Sequence, residues 1–144
     1  MKISVIVVTA RIGCLDILVN GLARQTFPQN DFEVLLIDSF FYERHGIIAD
    51  RLPENFFHMP LPENKDRYDA CYANNFGARR ARGELLVFFT DCNWPAENFL
   101  TEHWRIYTEV PGYSATGYVD RYHAPELKAP REINGQFGFN YDDV

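Results

Sequence analysis

Cysteine is scarce in this sequence: three residues in 144, Cys14, Cys71 and Cys92. The number is odd and no two form a C-x-x-C pair. A disulfide framework or a zinc ribbon is therefore not expected, and a reducing compartment is. Long apolar runs are missing too. The longest early one, Ile3 to Ala10, is far too short to cross a bilayer. It also has neither the basic start nor the extended apolar region of a secretory signal. The expectation is a cytoplasmic protein with no membrane span. Positive charge is in short supply as well. Fourteen Lys and Arg against twenty Asp and Glu give a net charge of −6, so no broad basic face offsets phosphate repulsion and no nucleic acid partner is expected. Internal repeats and low-complexity tracts are absent.

What is present is ordinary globular composition, 47% hydrophobic and 24% charged, on a length that suits one domain. Ile3–Thr9 (ISVIVVT) and Phe32–Ile37 (FEVLLI) are short continuous apolar runs, the pattern of strands buried on both faces. Between them Leu15, Leu18, Val19 and Leu22 recur at helical spacing, which predicts a helix over 13–25. A short strand is expected at Phe56–Met59, between two prolines, and a short helix around Ile47–Arg51. The stretch from Asp66 to Arg82 reads as a helix with a stripe of small residues, Ala70, Ala73, Gly77 and Ala81, that would let it sit close on a sheet. Glu84–Phe89 is the next strand, and Pro95–Tyr107 the next helix, with proline in its first turn. Tyr113–Tyr122 is expected as an edge strand and Pro125–Val144 as mostly loop. Strand and helix alternate at βαβ spacing, which predicts an α/β fold: a Rossmann-like, mostly parallel sheet with helices on both faces.

Ligands of such sheets sit beyond the carboxyl ends of the strands. That rule gathers Thr9-Ala10-Arg11, Asp38-Ser39 and Thr90-Asp91-Cys92-Asn93 into one neighbourhood. Two carboxylates and an amide there are suitable ligands for Mg²⁺ or Mn²⁺, which favour oxygen donors and leave positions for water and substrate phosphate. Arg11, Lys65 and Arg67 are candidates to meet an anion. The bland alternative is that Asp38 and Asp91 only cap turns after their strands. His45, His58, His103 and His123 share no spacing and read as structural or solvated. Arg79, Arg80 and Arg82 read as a solvated helix end, and Cys92 as a filler. The eight tyrosines and 15% aromatic content suit stacking on bases or sugars as well as core packing.

Three blocks of the chain resemble the family-2 glycosyltransferases. SVIVVTAR is similar to that family's opening SVIIPTYNR. LARQTFPQNDFEVLLIDS is similar to L-x-x-Q-T followed by E-I-I-V-V-D-D-G-S. ANNFGARRARGELLVFFTDCN is similar to A-R-N-x-G-x-x-x-A-x-G-E-x-I-x-F-L-D-A-D. They occur in order across roughly residues 2–100. The resemblance implies a GT-A fold that transfers a sugar from a nucleotide-sugar, commonly a UDP-sugar, to an acceptor hydroxyl with inversion, assisted by Mn²⁺ or Mg²⁺. It places Thr9, Ala10 and Arg11 along the nucleotide, Asp38 and Ser39 at the uracil or ribose, and Asn75 and Gly77 in the N-x-G of the helix. Asp91 becomes the principal metal-side carboxylate, with Asn93 beside it. Ala10 stands where the family has Tyr, Ser39 where it has a second Asp, and Asn74 where it has Arg, so Arg67 is the substitute cation. The D-x-D block reads as Asp91-Cys92-Asn93 when counted from Phe89, and as Thr90-Asp91-Cys92 when counted from Gly83-Glu84.

The expected organisation is one domain over 1–144. A nucleotide-sugar-binding core occupies about 1–110, and 111–144 forms a partial acceptor-side segment. A carbohydrate or lipid-linked acceptor is implied. For the base, only Asp142 and Asp143 remain as weak candidates, with no helix after them. The alternative is a truncated or non-catalytic nucleotide-sugar-binding module, or a chain completed by a second copy in a homo-oligomer. A nucleotidyltransferase is disfavoured because T-A-R-I-G is too poor in glycine for a phosphate loop. A phospho-acceptor domain would rest on Asp38 alone.

Overall fold

The computed structural model describes residues 1–10, 15–62, 70–112 and 114–117, together with the backbone of residues 132–133 and 136–137. Four strands, β1 (Ile3–Thr9), β2 (Phe32–Asp38), β3 (Phe56–Pro60) and β4 (Leu85–Thr90), form an all-parallel sheet in the order β3-β2-β1-β4. β1 and β2 are central and covered on both sides. That is why their sequences are continuous Val, Ile and Leu runs rather than alternating ones.

Paired residues in a parallel ladder share a face, and alternate residues change face. Ile3, Val5 and Val7 of β1 and Phe32, Val34 and Leu36 of β2 therefore point to one side. There they pack with α1 (Leu15–Ala23), with Ile48 of α2 (Phe41–Ile48) and with Leu100 of α4 (Phe99–Glu109). On the other side Ile6, Leu35 and Ile37 pack with Ala73 of α3 (Ala70–Ala78). The small-residue stripe of α3 has the expected purpose. A Cβ on Gly77 would stand 2.6 Å from Cγ2 of Ile6, so the helix axis is as close to the sheet as a side chain there would forbid. Each fully buried Val, Leu or Ile contributes about 1.5–3 kcal/mol.

At the amino end of the sheet one charged residue interrupts the apolar pattern. Glu33 is buried on β2, paired across the ladder with Ser4. Ser4 Oγ donates to Glu33 Oε1 at 2.6 Å, the Arg82 backbone N–H donates to the same oxygen at 2.7 Å, and the Arg82 guanidinium reaches Oε2 at 2.6 Å. Burial raises the Glu33 pKa, but the Ser4 hydroxyl and the Arg82 donors outweigh it, and the carboxyl titrates below its ordinary 4.5. The folded value is the depressed one, so Glu33 contributes stability above the unfolded pKa that is lost as pH falls through the folded one. Urea midpoints measured from about pH 5 to about pH 3 should decline in the wild type, and decline less in Glu33→Gln.

Several elements differ from expectation. The region after β2 is helical from Phe41, ahead of the expected 47–51, with a 3-10 turn at Ala49–Arg51. Only Arg44 and Ile48 of α2 are buried, so there is no apolar stripe to announce it. α3 stops at Ala78, short of Arg82, because Arg82 and Gly83 turn in to meet Ser4. Arg82 is therefore an ion-pair partner of buried Glu33, although its side chain stays largely exposed, as do Arg79 and Arg80. α4 starts at Phe99, and Pro95 lies before it, against α1, where a Cβ on Gly21 would meet Pro95 Cδ at 2.7 Å. Residues 114–117 form no strand. Within the tail expected as mostly loop, β5 (Glu132–Ile133) and β6 (Gln136–Phe137) pair antiparallel.

Candidate functional site

The carboxyl ends of three strands carry the site. Thr9 pairs with Asp38 across β1 and β2, and Val8 pairs with Thr90 across β1 and β4. Asp91, one residue past the end of β4, turns its carboxylate to Thr9, whereas Thr90 falls on the α3 side by alternation. Thr9 Oγ1 donates to Asp91 Oδ2 at 2.8 Å, with both residues buried. The Thr9 carbonyl accepts from the Ser39 N–H at 3.0 Å. One threonine thus ties β4 to β1 through its side chain and β2 to β1 through its backbone.

Asp38 is more heavily engaged. Its Oδ1 accepts from the Phe40 N–H at 2.8 Å, the two-residue reach of an Asx turn. Its Oδ2 faces Nε2 of His58 at 3.0 Å and Arg44 at 3.4 Å. Both partner side chains are buried, at 1% and 2% exposure. The turn-capping reading of Asp38 is therefore part of the truth. His58 in turn meets His45, Nδ1 to Nδ1 at 3.2 Å. Arg44, His45 and His58 were not legible as a group, since the contacts run between α2 and β3 with no shared period. The one available signal was Arg44 in a helix with almost no apolar face.

The segment after Asp91 is held from α1. Gln25 is buried. Its amide donates to the Ala96 carbonyl at 2.8 Å and its oxygen accepts from the Leu100 N–H at 3.0 Å, which serves one of the unpaired donors at the start of α4. The Thr26 N–H donates to the Glu97 carbonyl at 2.8 Å. The Q-T pair therefore has a mechanical purpose that reading it as a motif did not supply: it pins the strand-to-helix connection that carries Asp91 to Asn98. Asn93 is half-buried, its N–H 3.5 Å from the Thr90 carbonyl in the turn after β4. Trp94 and Cys92 are exposed.

Of the residues proposed from sequence, Thr9, Asp38, Ser39 and Asp91 come together, with Ala10 and Asn93 adjoining them in the chain. Asn75 is exposed on α3, which covers the opposite face of the sheet. Arg11, Arg67, Asp142 and Asp143 lie outside the described residues. Among the described residues no group of three or more His, Cys, Asp or Glu converges on a metal position. The donors present, Asp91 with Asn93, suit a divalent ion that takes most of its ligands from a substrate phosphate and water, as Mg²⁺ does. No described helix is long and apolar enough to cross a membrane.

This is a Rossmann-like α/β fold with its polar ends at the switch between β1 and β4. The same fold occurs in solved glycosyltransferases. The structure of S. aureus TarS 1-349 in complex with UDP-GlcNAc aligns with a TM-score of 0.59 at 23% identity, covering 81% of this chain and 37% of that one. Its complex with UDP aligns equally well. The mannosyltransferase PcManGT from Pyrobaculum calidifontis, in complex with GDP-Man and Mn2+, aligns with a TM-score of 0.56 at 22% identity, over 67% of this chain and 29% of that one. The chain thus spans under two-fifths of the length of these structures. No protein-family model and no curated protein matches the sequence.

Proposed function

We propose that this chain binds a nucleotide-sugar, a UDP-sugar in the first instance, at the carboxyl ends of β1, β2 and β4, as the donor side of a glycosyltransferase. The observation that carries the reading is the Thr9–Asp91 hydrogen bond of 2.8 Å. It lies at the switch point of the β3-β2-β1-β4 order, where open α/β sheets take their ligands. Glycosyltransferases of the same fold with bound UDP, UDP-GlcNAc or GDP-Man support the ligand class.

Within the proposal, Asp91 and Asn93 hold Mn²⁺ or Mg²⁺, and Thr9 orients the Asp91 carboxylate. Ala10, Arg11, Ser39 and Arg67 are proposed as the nucleotide-side residues; Asn75, on α3 across the sheet, is not among them. Asp38 sits at the base or ribose end, where its present bonds to Phe40, His58 and Arg44 fix the chain turning out of β2. When bound, the ion neutralises charge on the leaving diphosphate. In the proposed transfer an acceptor hydroxyl oxygen bonds to the anomeric carbon as the bond to the diphosphate breaks, and the hydroxyl proton passes to a base. No described residue is assigned as that base; Asp142 and Asp143 are the candidates for it. The acceptor is proposed as a carbohydrate or lipid-linked hydroxyl.

Calorimetry with UDP and GDP, each with and without Mn²⁺, tests the reading. Metal-enhanced binding of a nucleoside diphosphate is expected. Absence of binding to either, with or without metal, removes it. Donor hydrolysis or transfer then separates a catalyst from a binding module.

A further inference from the structure

The histidine pair beside Asp38 has a geometry that neither burial nor the nucleotide reading requires. His58 extends from β3 and His45 from α2, and their Nδ1 atoms lie 3.2 Å apart. The other nitrogen of His58, Nε2, is 3.0 Å from Asp38 Oδ2. A carboxylate only accepts, so with Asp38 ionised beside Arg44 the His58 proton is on Nε2. In the neutral ring Nδ1 then carries the lone pair, and in the metal-free protein it accepts a hydrogen bond from His45 Nδ1 at 3.2 Å. His45 is exposed, so moving its own proton to the solvent-side Nε2 costs little and turns a second lone pair inward. Phe41 holds both rings, stacked on His45 at 4.5 Å and tilted against His58 at 4.7 Å.

We propose that His45 and His58 form a two-imidazole site for a divalent transition ion of the zinc class. Metal–nitrogen bonds run about 2.0–2.1 Å, so two nitrogens 3.2 Å apart subtend roughly 100° at a shared ion, between the square and tetrahedral angles. Asp38 is the outer partner. Acceptance of the second ring proton by a carboxylate is the usual way a metal-binding histidine is oriented and made more basic. With two protein ligands, water completes the shell on the exposed His45 side. Nitrogen donors select zinc, copper and nickel over the manganese or magnesium proposed at Asp91, whose donors are oxygens. The two imidazoles themselves are not among the nucleotide-side residues, and Asp38 is the one residue the two sites share.

Zn²⁺ titrated onto the full chain, followed by calorimetry, should show one binding event that His45→Ala weakens by at least ~10-fold. His45→Gln should weaken it in the same way, and metal-free melting curves of both variants check that each is still folded. Cu²⁺ loaded at one equivalent should give an electron paramagnetic resonance spectrum with coupling to two imidazole nitrogens in the wild type, and lose that pattern in His45→Ala. Equal Zn²⁺ binding by wild type and His45→Ala, or no wild-type binding at about 1 mM metal, would overturn the proposal.

Discussion

Replacing Asp91 by alanine is expected to lower Mn²⁺-dependent affinity for UDP by at least ~100-fold, about 2.7 kcal/mol. The size follows from charge accounting. A net charge of −6 repels a diphosphate, and the proposed ion that reverses this has one carboxylate in its donor set. Metal-independent affinity for UDP should change little, and stability should fall because the Thr9 bond is lost. Asp91→Asn preserves an acceptor for the Thr9 hydroxyl while removing the charge, so it should fall nearly as far as the alanine variant. Thr9→Val preserves shape and charge but loses the 2.8 Å bond. It should weaken binding less, by roughly 10-fold, with about 1.5–3 kcal/mol lost from stability, the range for hydrogen bonds to charged groups. Titrations of UDP with and without Mn²⁺ across the three variants supply the check. Unchanged affinity in Asp91→Ala would detach this residue from the nucleotide.

The second large effect is on folding. A Cβ on Gly83 would stand 2.4 Å from the Ser4 nitrogen and 2.5 Å from the Ile3 carbonyl carbon. Both are backbone atoms of the central strand and cannot rotate aside. Gly83 also donates its N–H to Ser4 Oγ at 2.8 Å, so a backbone shift there would disturb the Glu33 network as well. Gly83→Ala is expected to cost about 3 kcal/mol, the upper part of the overpacking range, and to lower the melting temperature by roughly 10 °C. Gly46 supplies the control. It lies in α2 with nothing within 4 Å of a built Cβ, so Gly46→Ala should raise stability by about 0.5–1 kcal/mol. Thermal melts of the two variants decide the matter; equal effects would mean that the close approach at Gly83 relaxes freely.

The parts of the fold legible in sequence were those whose signal is local and repeated. β1 and β2 announce themselves because strands covered on both faces must be apolar at every position. Ala73 and Gly77 announce α3 because close packing demands small side chains at one spacing. α2 was hidden, since a helix that buries only Arg44 and Ile48 has no stripe to read. The short β5–β6 pairing was not read separately within a tail expected as mostly loop, although Asn134-Gly135, a favoured hairpin dipeptide, stands in the sequence between Ile133 and Gln136. Glu33 could have been caught: a carboxylate inside a fully buried strand requires a partner, and only the distance in sequence concealed Arg82. The same distance hid the His45–His58–Asp38 cluster.

At the site, sequence located the strand ends and left Asp91 as the one carboxylate under either register of the D-x-D block; the pairing of Val8 with Thr90 shows where β4 delivers it. That pairing has a genetic consequence. Rise along a strand is about 3.3 Å per residue and the face alternates with each step. With Gly83 anchored on Ser4, loss of one residue between Gly83 and Asp91 would put the Cys92 thiol where the carboxylate stands. Gain of one would put the Thr90 hydroxyl there. Lineages of this chain can therefore exchange apolar side chains along β4 with little penalty to the acid's placement. A single-codon insertion or deletion removes it in one event.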